Sequence, residues 1–137
     1  MLATPTFLDK NRVYNIAHRG GLELWPENTL TAFAGAAAVG PEVVLELDVW
    51  ACRADDGTIG GGELVVMHDE TVVRTTDANL HALSFAETAG LGGAANVMYY
   101  KLKQLKELDA GYRFTPDGGA TFPFRAARAS RCPRLRR

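Results

Sequence analysis

The stretch Val43-Val44-Leu45-Glu46-Leu47-Asp48-Val49-Trp50 decides the reading of this chain. Both ends are β-branched and apolar, which is the composition of a strand packed on both faces. Two acids interrupt it. Side chains alternate along a strand, so Glu46 and Asp48 share one face while Leu45, Leu47 and Val49 take the other, into packing. Two carboxylates side by side in apolar surroundings repel each other and resist ionisation. A hard divalent cation at their oxygens removes that conflict. A solvated acidic face is the competing reading, and the apolar residues on either side weaken it.

Upstream, residues 13–17 form a short apolar strand that runs into the turn His18-Arg19-Gly20-Gly21. Pro26-Glu27-Asn28-Thr29 opens a helix, with Asn28 as the expected N-cap. Leu30, Phe33, Ala34, Ala37 and Ala38 recur at helical spacing as its apolar face, and Gly40-Pro41 closes it. A helix joining two strands in this way implies a parallel α/β arrangement.

Downstream, Asp55-Asp56-Gly57 marks a turn and Gly60-Gly61-Gly62 a flexible stretch. Residues 63–67 form a third strand that stops at His68-Asp69. Residues 74–93 are polar loop with local helix. Residues 101–108 form a short helix with Leu102, Leu105 and Leu108 inward and Gly111 as its stop, and residues 112–124 are loop.

Three strands thus end in chemically able residues. With the strands as parallel neighbours, the rings of His18 and His68 lie at the end of the sheet that carries the two acids, where α/β folds bind ligands. Arg19, in its glycine-bearing turn, suits a phosphate held by paired hydrogen bonds. An ion pair with Glu27 is the alternative for Arg19, and the two are compatible. His81 has no such setting and reads as surface.

The chain has 137 residues, which bounds it to one domain, and a formal net charge of -1. That charge excludes a general nucleic-acid binder. It hides an asymmetry: six arginines fall within residues 125–137, leaving 9 basic against 16 acidic residues, or -7, for the rest. Two cysteines, Cys52 and Cys132, are too few for a disulfide framework. The N-terminal residues do not form a secretory signal and no stretch is long enough to cross a bilayer, so a cytoplasmic location is expected.

The ordered set His18-Arg19-Gly20, Pro26-Glu27-Asn28-Thr29, Glu46-Leu47-Asp48, His68-Asp69 and Leu108-Asp109-Ala110-Gly111 strongly resembles the glycerophosphodiester phosphodiesterase family. The resemblance implies an α/β fold, a (β/α)8 TIM barrel, with residues 71–124 as the family's small insertion. It implies metal-dependent hydrolysis of glycerophosphodiesters to glycerol 3-phosphate and an alcohol, within phospholipid metabolism. His18 and His68 would be the acid–base pair, with the two parts unassigned. Glu46 and Asp48 would bind magnesium or calcium, Arg19 would contact the phosphate, and Glu27 and Asn28 would support the site. A related barrel lyase acting on sphingolipids or lysolipids is a less favoured relative.

A (β/α)8 barrel takes about 250 residues. The chain is therefore expected to hold the first three strands and the insertion in residues 1–125, followed by a basic, disordered tail in residues 126–137 outside the family pattern. Weak or absent activity follows, and a non-catalytic remnant that binds phosphate compounds or a partner chain is the alternative. Codons for residues 126–137 can be chosen so that a shifted frame reads Gly-Ala-Gly-Ile-Pro-Val-Pro-Thr-Leu-Glu-Glu, close to the continuation expected of the family. The coding DNA beyond Arg125 is expected to carry that shifted reading. An unbroken frame with unrelated codons would defeat the expectation.

Overall fold

The computed structural model describes residues 11–81 and 95–125, together with Pro133. The expected tail falls outside these residues except at Pro133. That residue is buried and its carbonyl accepts from the Val66 N–H at 3.0 Å, so at that point the tail is packed and not disordered as expected. Residues 82–94 of the expected loop also lie outside the described residues. β1 (Asn15–Ala17) and β2 (Val43–Leu45) are joined by α1 (Leu30–Val39) and pair in parallel, Asn15 against Val43 and Ala17 against Leu45. β3 (Val49–Ala51) and β4 (Leu64–Val66) form a separate antiparallel pair, Val49 against Val66 and Ala51 against Leu64. α2 (Leu102–Leu105) and three single 3-10 turns complete the elements among the described residues. The α/β class holds.

Two expectations about the strands need correction. The single strand over residues 43–50 is two strands with a joint at residues 46–48, because neighbours on opposite sides claim its backbone. The Glu46 N–H continues the parallel ladder to the Ala17 carbonyl at 3.2 Å, whereas the Asp48 N–H is taken by the Asn28 side chain at 3.3 Å. The third strand is antiparallel, not parallel. The link from β3 to β4 holds tight turns, with the Gly57 N–H on the Ala54 carbonyl at 3.0 Å, and no helix to carry the chain back across a sheet.

α1 begins one residue later than expected. Thr29 is its N-cap, with the hydroxyl accepting from the Ala32 N–H at 3.2 Å, and Asn28 is spent elsewhere. The buried positions are Ala32 and Ala36, whereas Leu30 is 60% exposed and Ala34, Ala37 and Ala38 face solvent. The small face is inward because Gly20 lies against it: a Cβ at Gly20 would sit 2.8 Å from the Ala32 Cβ and 2.9 Å from the Phe33 ring.

The core lies between the hairpin and the segment after it. Cys52, Val65, Met67, Val72, Ala78, Val97, Tyr100, Leu105 and Leu108 make one buried cluster, with Trp50 and Leu102 packed against it. Leu105 and Leu108 lie inward as expected, but the helix expected over residues 101–108 is only the single turn Leu102–Leu105, with Leu108 beyond its end. Burial pushes the Cys52 thiol up. The β1–β2 side is more open, with Val13 and Ile16 exposed. Leu45, Leu47 and Val49, expected in packing, are exposed as well, because among the described residues no layer covers that face. No helix among the described residues is long and apolar enough to cross a membrane.

Gly20 combines a left-handed φ of +81° with that close approach to α1. Gly20→Ala is expected to destabilise the fold by about 2 kcal/mol or more. Gly118→Ala, with φ +68° but open space around it, is expected to cost about 1 kcal/mol. Urea midpoints of the two variants check the difference.

Candidate functional site

β1 delivers the chain into a 3-10 turn, His18–Gly20, in which Arg19 holds a left-handed φ of +54°. That conformation turns the Arg19 N–H outward, where it donates to Glu46 Oε2 at 2.7 Å, while its carbonyl accepts from the Asn28 N–H at 2.8 Å. The guanidinium is largely buried. Its Nη1 donates to Glu27 Oε1 at 3.2 Å, the ion pair anticipated from sequence. Its Nε stands 3.6 Å from Asp48 Oδ2, within ion-pair range but beyond hydrogen-bond reach. Among the described residues this buried N–H has no hydrogen-bond partner.

Asn28 also has a positive φ, +58°. Its side chain clamps Asp48 from both sides: Nδ2 donates to Asp48 Oδ2 at 3.1 Å and Oδ1 accepts from the Asp48 N–H at 3.3 Å. Glu46, Asp48, Arg19, Glu27 and Asn28 are thus brought together around the joint between β2 and β3.

His68 reaches the same joint by the antiparallel route. The Met67 N–H donates to the Asp48 carbonyl at 2.9 Å, so β4 ends beside the acids although it runs opposite to the expected direction. The Trp50 indole N–H holds the His68 carbonyl at 3.0 Å. The exposed imidazole places Nδ1 2.7 Å from Asp69 Oδ1. His18 sits at the end of β1, exposed, and its ring makes no hydrogen bond or ion pair among the described residues. His81, read as surface, is half-buried and pairs with Asp77 at 3.0 Å.

Arg74 is the side chain of this cluster that the sequence reading missed. Its Nε and Nη2 hold the two oxygens of Asp69 at 2.6 and 3.0 Å, and its Nη1 and Nη2 hold the two oxygens of Glu27 at 2.8 and 2.7 Å. The signal for it was electrostatic: acids gathered at a partly buried rim require cations, and Arg74 lies five residues beyond Asp69. The Arg74 hydrogen bonds, aided by His68, hold the Asp69 carboxyl down at about 2. Burial pushes Glu27 up, but its bonds and charge interactions with Arg74 and Arg19 outweigh this and leave it below the ordinary carboxylate value. The two acids in turn raise the Arg74 pKa.

The described residues hold no group of three or more His, Cys, Asp or Glu side chains arranged for a metal. Glu46 and Asp48 are nevertheless the hard oxygen donors that magnesium takes, which is commonly bound through one or two carboxylates with water and phosphate filling the remaining positions.

The model of the glycerophosphoryl diester phosphodiesterase family matches residues 18–135. The chain belongs to that family. It is 38% identical over 99 residues to a glycerophosphodiester phosphodiesterase of Caldanaerobacter subterraneus, covering 72% of this chain and 31% of that one. It is 45% identical over 92 residues to the glycerophosphodiester phosphodiesterase 1 of Bos taurus, covering 64% and 24%. The chain therefore spans about a quarter to a third of these family members. Among solved structures, it is similar to the glycerophosphoryl diester phosphodiesterase domain of a Mycobacterium tuberculosis protein, with a TM-score of 0.64, 29% identity, and coverage of 89% of this chain and 37% of that one. A glycerophosphodiester phosphodiesterase from Agrobacterium tumefaciens gives a TM-score of 0.59 at 29% identity, covering 90% and 40%.

Asp69 titrates near 2 when folded and near 3.9 when free, so its contribution to stability is complete above about pH 4 and is lost as pH falls toward 2. Thermal unfolding followed by circular dichroism is expected to show that acid limb. Arg74→Gln should flatten it by removing the partner. The limb from Asp117, also held at about 2, by Thr121 and Thr115, should remain. An identical acid limb in Arg74→Gln would contradict the assignment.

Proposed function

We propose that this chain forms the first part of a (β/α)8 phosphodiesterase barrel whose site hydrolyses glycerophosphodiesters, the deacylated products of phospholipids, to glycerol 3-phosphate and an alcohol. The observation that carries the reading is a charge imbalance. Four carboxylates, Glu27, Glu46, Asp48 and Asp69, gather at one rim with two guanidinium groups, Arg19 and Arg74. Arg74 joins Glu27 and Asp69. Arg19 is shared between Glu27 and Asp48, and Glu46 is met by a backbone N–H. The formal excess of two negative charges falls at Glu46 and Asp48, where a divalent cation would balance it.

In this reading Glu46 and Asp48 hold the cation, which when bound offsets charge on the phosphoryl oxygens. Asn28 keeps Asp48 aimed through two hydrogen bonds. Arg19, anchored by Glu27, adds a fixed positive charge beside the phosphate and needs no reorganisation as charge builds in the transition state. His18 and His68 move protons. One accepts from the attacking hydroxyl and the other donates to the leaving alcohol, a task suited to imidazole near neutral pH. Two carboxylates make a weak cation site, so turnover by this chain alone is slow.

Purified chain, glycerophosphocholine and magnesium or calcium make the test, with glycerol 3-phosphate as the readout. Slow release that a chelator stops is expected, falling at least about 100-fold in His68→Ala and lost in Glu46→Gln and Asp48→Asn. Release that survives chelation overturns the metal assignment. Cation binding with no release at all would leave the chain as a remnant that binds phosphate compounds.

A further inference from the structure

We infer that Arg74 is a positioning residue, which clamps Asp69 so that the His68 imidazole carries its proton on Nδ1 and presents a free Nε2, and which ties that ring to Arg19 through Glu27. The inference deepens the proposed function and rests on it only where turnover is concerned.

The geometry uses both edges of one guanidinium. The edge made by Nε and Nη2 faces Asp69, and the edge made by Nη1 and Nη2 faces Glu27, with each carboxylate held by both oxygens. Planar two-point recognition of this kind is what a guanidinium offers and an ammonium does not. Glu27 is the connecting piece, because its Oε1 accepts from Arg74 Nη2 at 2.7 Å and from Arg19 Nη1 at 3.2 Å. The Glu27 side chain is only 11% exposed and that of Asp69 26%, so neither is free to swing away. Arg74 itself is about half exposed, so its value lies in geometry more than in stability.

The consequence for His68 is chemical. Asp69 stays ionised well below any pH at which an imidazole changes charge. An ionised carboxylate only accepts hydrogen bonds, so the ring nitrogen 2.7 Å away must be the donor. Nδ1 therefore bears the proton in the neutral ring, and Nε2 is left with its lone pair. Asp69 Oδ1 serves both His68 and Arg74, and thus the carboxylate's angle to the ring is set by the arginine. A narrow cleft lined by His68, Asp69, Arg74, Glu27 and Asn28 opens at this point, so the oriented ring stands at a cavity wall.

Long-range proton–nitrogen NMR of the ring nitrogens tests this on the whole chain, with the three histidines separated by single His→Gln variants. Wild-type His68 is expected to show the Nδ1–H form in its neutral ring. Asp69→Ala should lose that preference, Arg74→Gln should lose most of it, and Arg74→Lys should fall between. A wild-type ring with its proton on Nε2, or an even mixture, overturns the inference whatever the variants do. So does a folded Arg74→Gln with the wild-type tautomer. If Arg74→Gln does not fold, the wild-type and Arg74→Lys spectra decide.

Where glycerophosphocholine turnover is measurable, Arg74→Gln should lower kcat on the order of 10- to 100-fold, the usual effect of a misplaced reactive group, with KM little changed. Arg74→Lys should recover part of the loss. Equal kcat in Arg74→Gln and wild type counts against the inference. A correct tautomer without turnover would remove the proposed activity and leave the positioning of His68 intact.

Discussion

A carboxylate withdrawn from water must be met by a positive group or by hydrogen-bond donors, and most of the local structure at this rim answers that demand. The left-handed turn at Arg19 exists where its N–H reaches Glu46. The strained Asn28 is held where its amide closes on Asp48. Arg74 crosses from the segment after β4 to reach Glu27. Positive φ at two residues that are not glycine costs of order 1–2 kcal/mol each, and the charge-assisted hydrogen bonds around them offset that cost.

Much of the fold was legible because apolar runs and turn residues are local signals. Residues 13–17, 43–50 and 63–67 each contain a strand, and α1 ends at Gly40 as its composition suggested. The break at residues 46–48 was not legible. It is caused by Asn28, twenty residues away in sequence, which competes for the Asp48 N–H that a continuous strand would have spent on its neighbour. The inward face of α1 was misread for a related reason. Periodicity marks large apolar residues as buried, but the partner here is Gly20, and a helix packed against glycine turns alanines inward and leaves Leu30 outside.

The site was legible in its acids and less so in its cations. Glu46 and Asp48 stood out because acids in an apolar strand are anomalous, and although the strand breaks between them both still meet Arg19, one at its N–H and the other near its Nε. Arg74 sat in a polar segment where an arginine is unremarked, and only the fold shows that Glu27 and Asp69 lie on either side of it. The antiparallel return of β4 shows why a wrong topology led to a sound neighbourhood. The joint is the end of β2 and the start of β3, and β4 ends where β3 starts, so His68 meets the acids by either route.

The two sides of the rim rest on different supports. His68 and Asp69 follow β4, whose Val65 belongs to the buried cluster with Met67, Leu105 and Leu108. Arg19 and Glu46 lie at the ends of β1 and β2, a pair whose Ile16 is two-thirds exposed and whose packing depends on α1 pressing Ala32 onto Gly20. Backbone contact across the joint is sparse, so side chains carry the connection: Asn28 to Asp48, and Glu27 to Arg74. The proposed reaction at phosphorus would need its charged groups fixed to within a fraction of an ångström. The well-packed side fixes His68, the looser side bears Arg19, and Glu27 with Arg74 transmits the rigidity of one to the other. That is why a carboxylate outside the candidate cation site can matter to the chemistry as much as those within it.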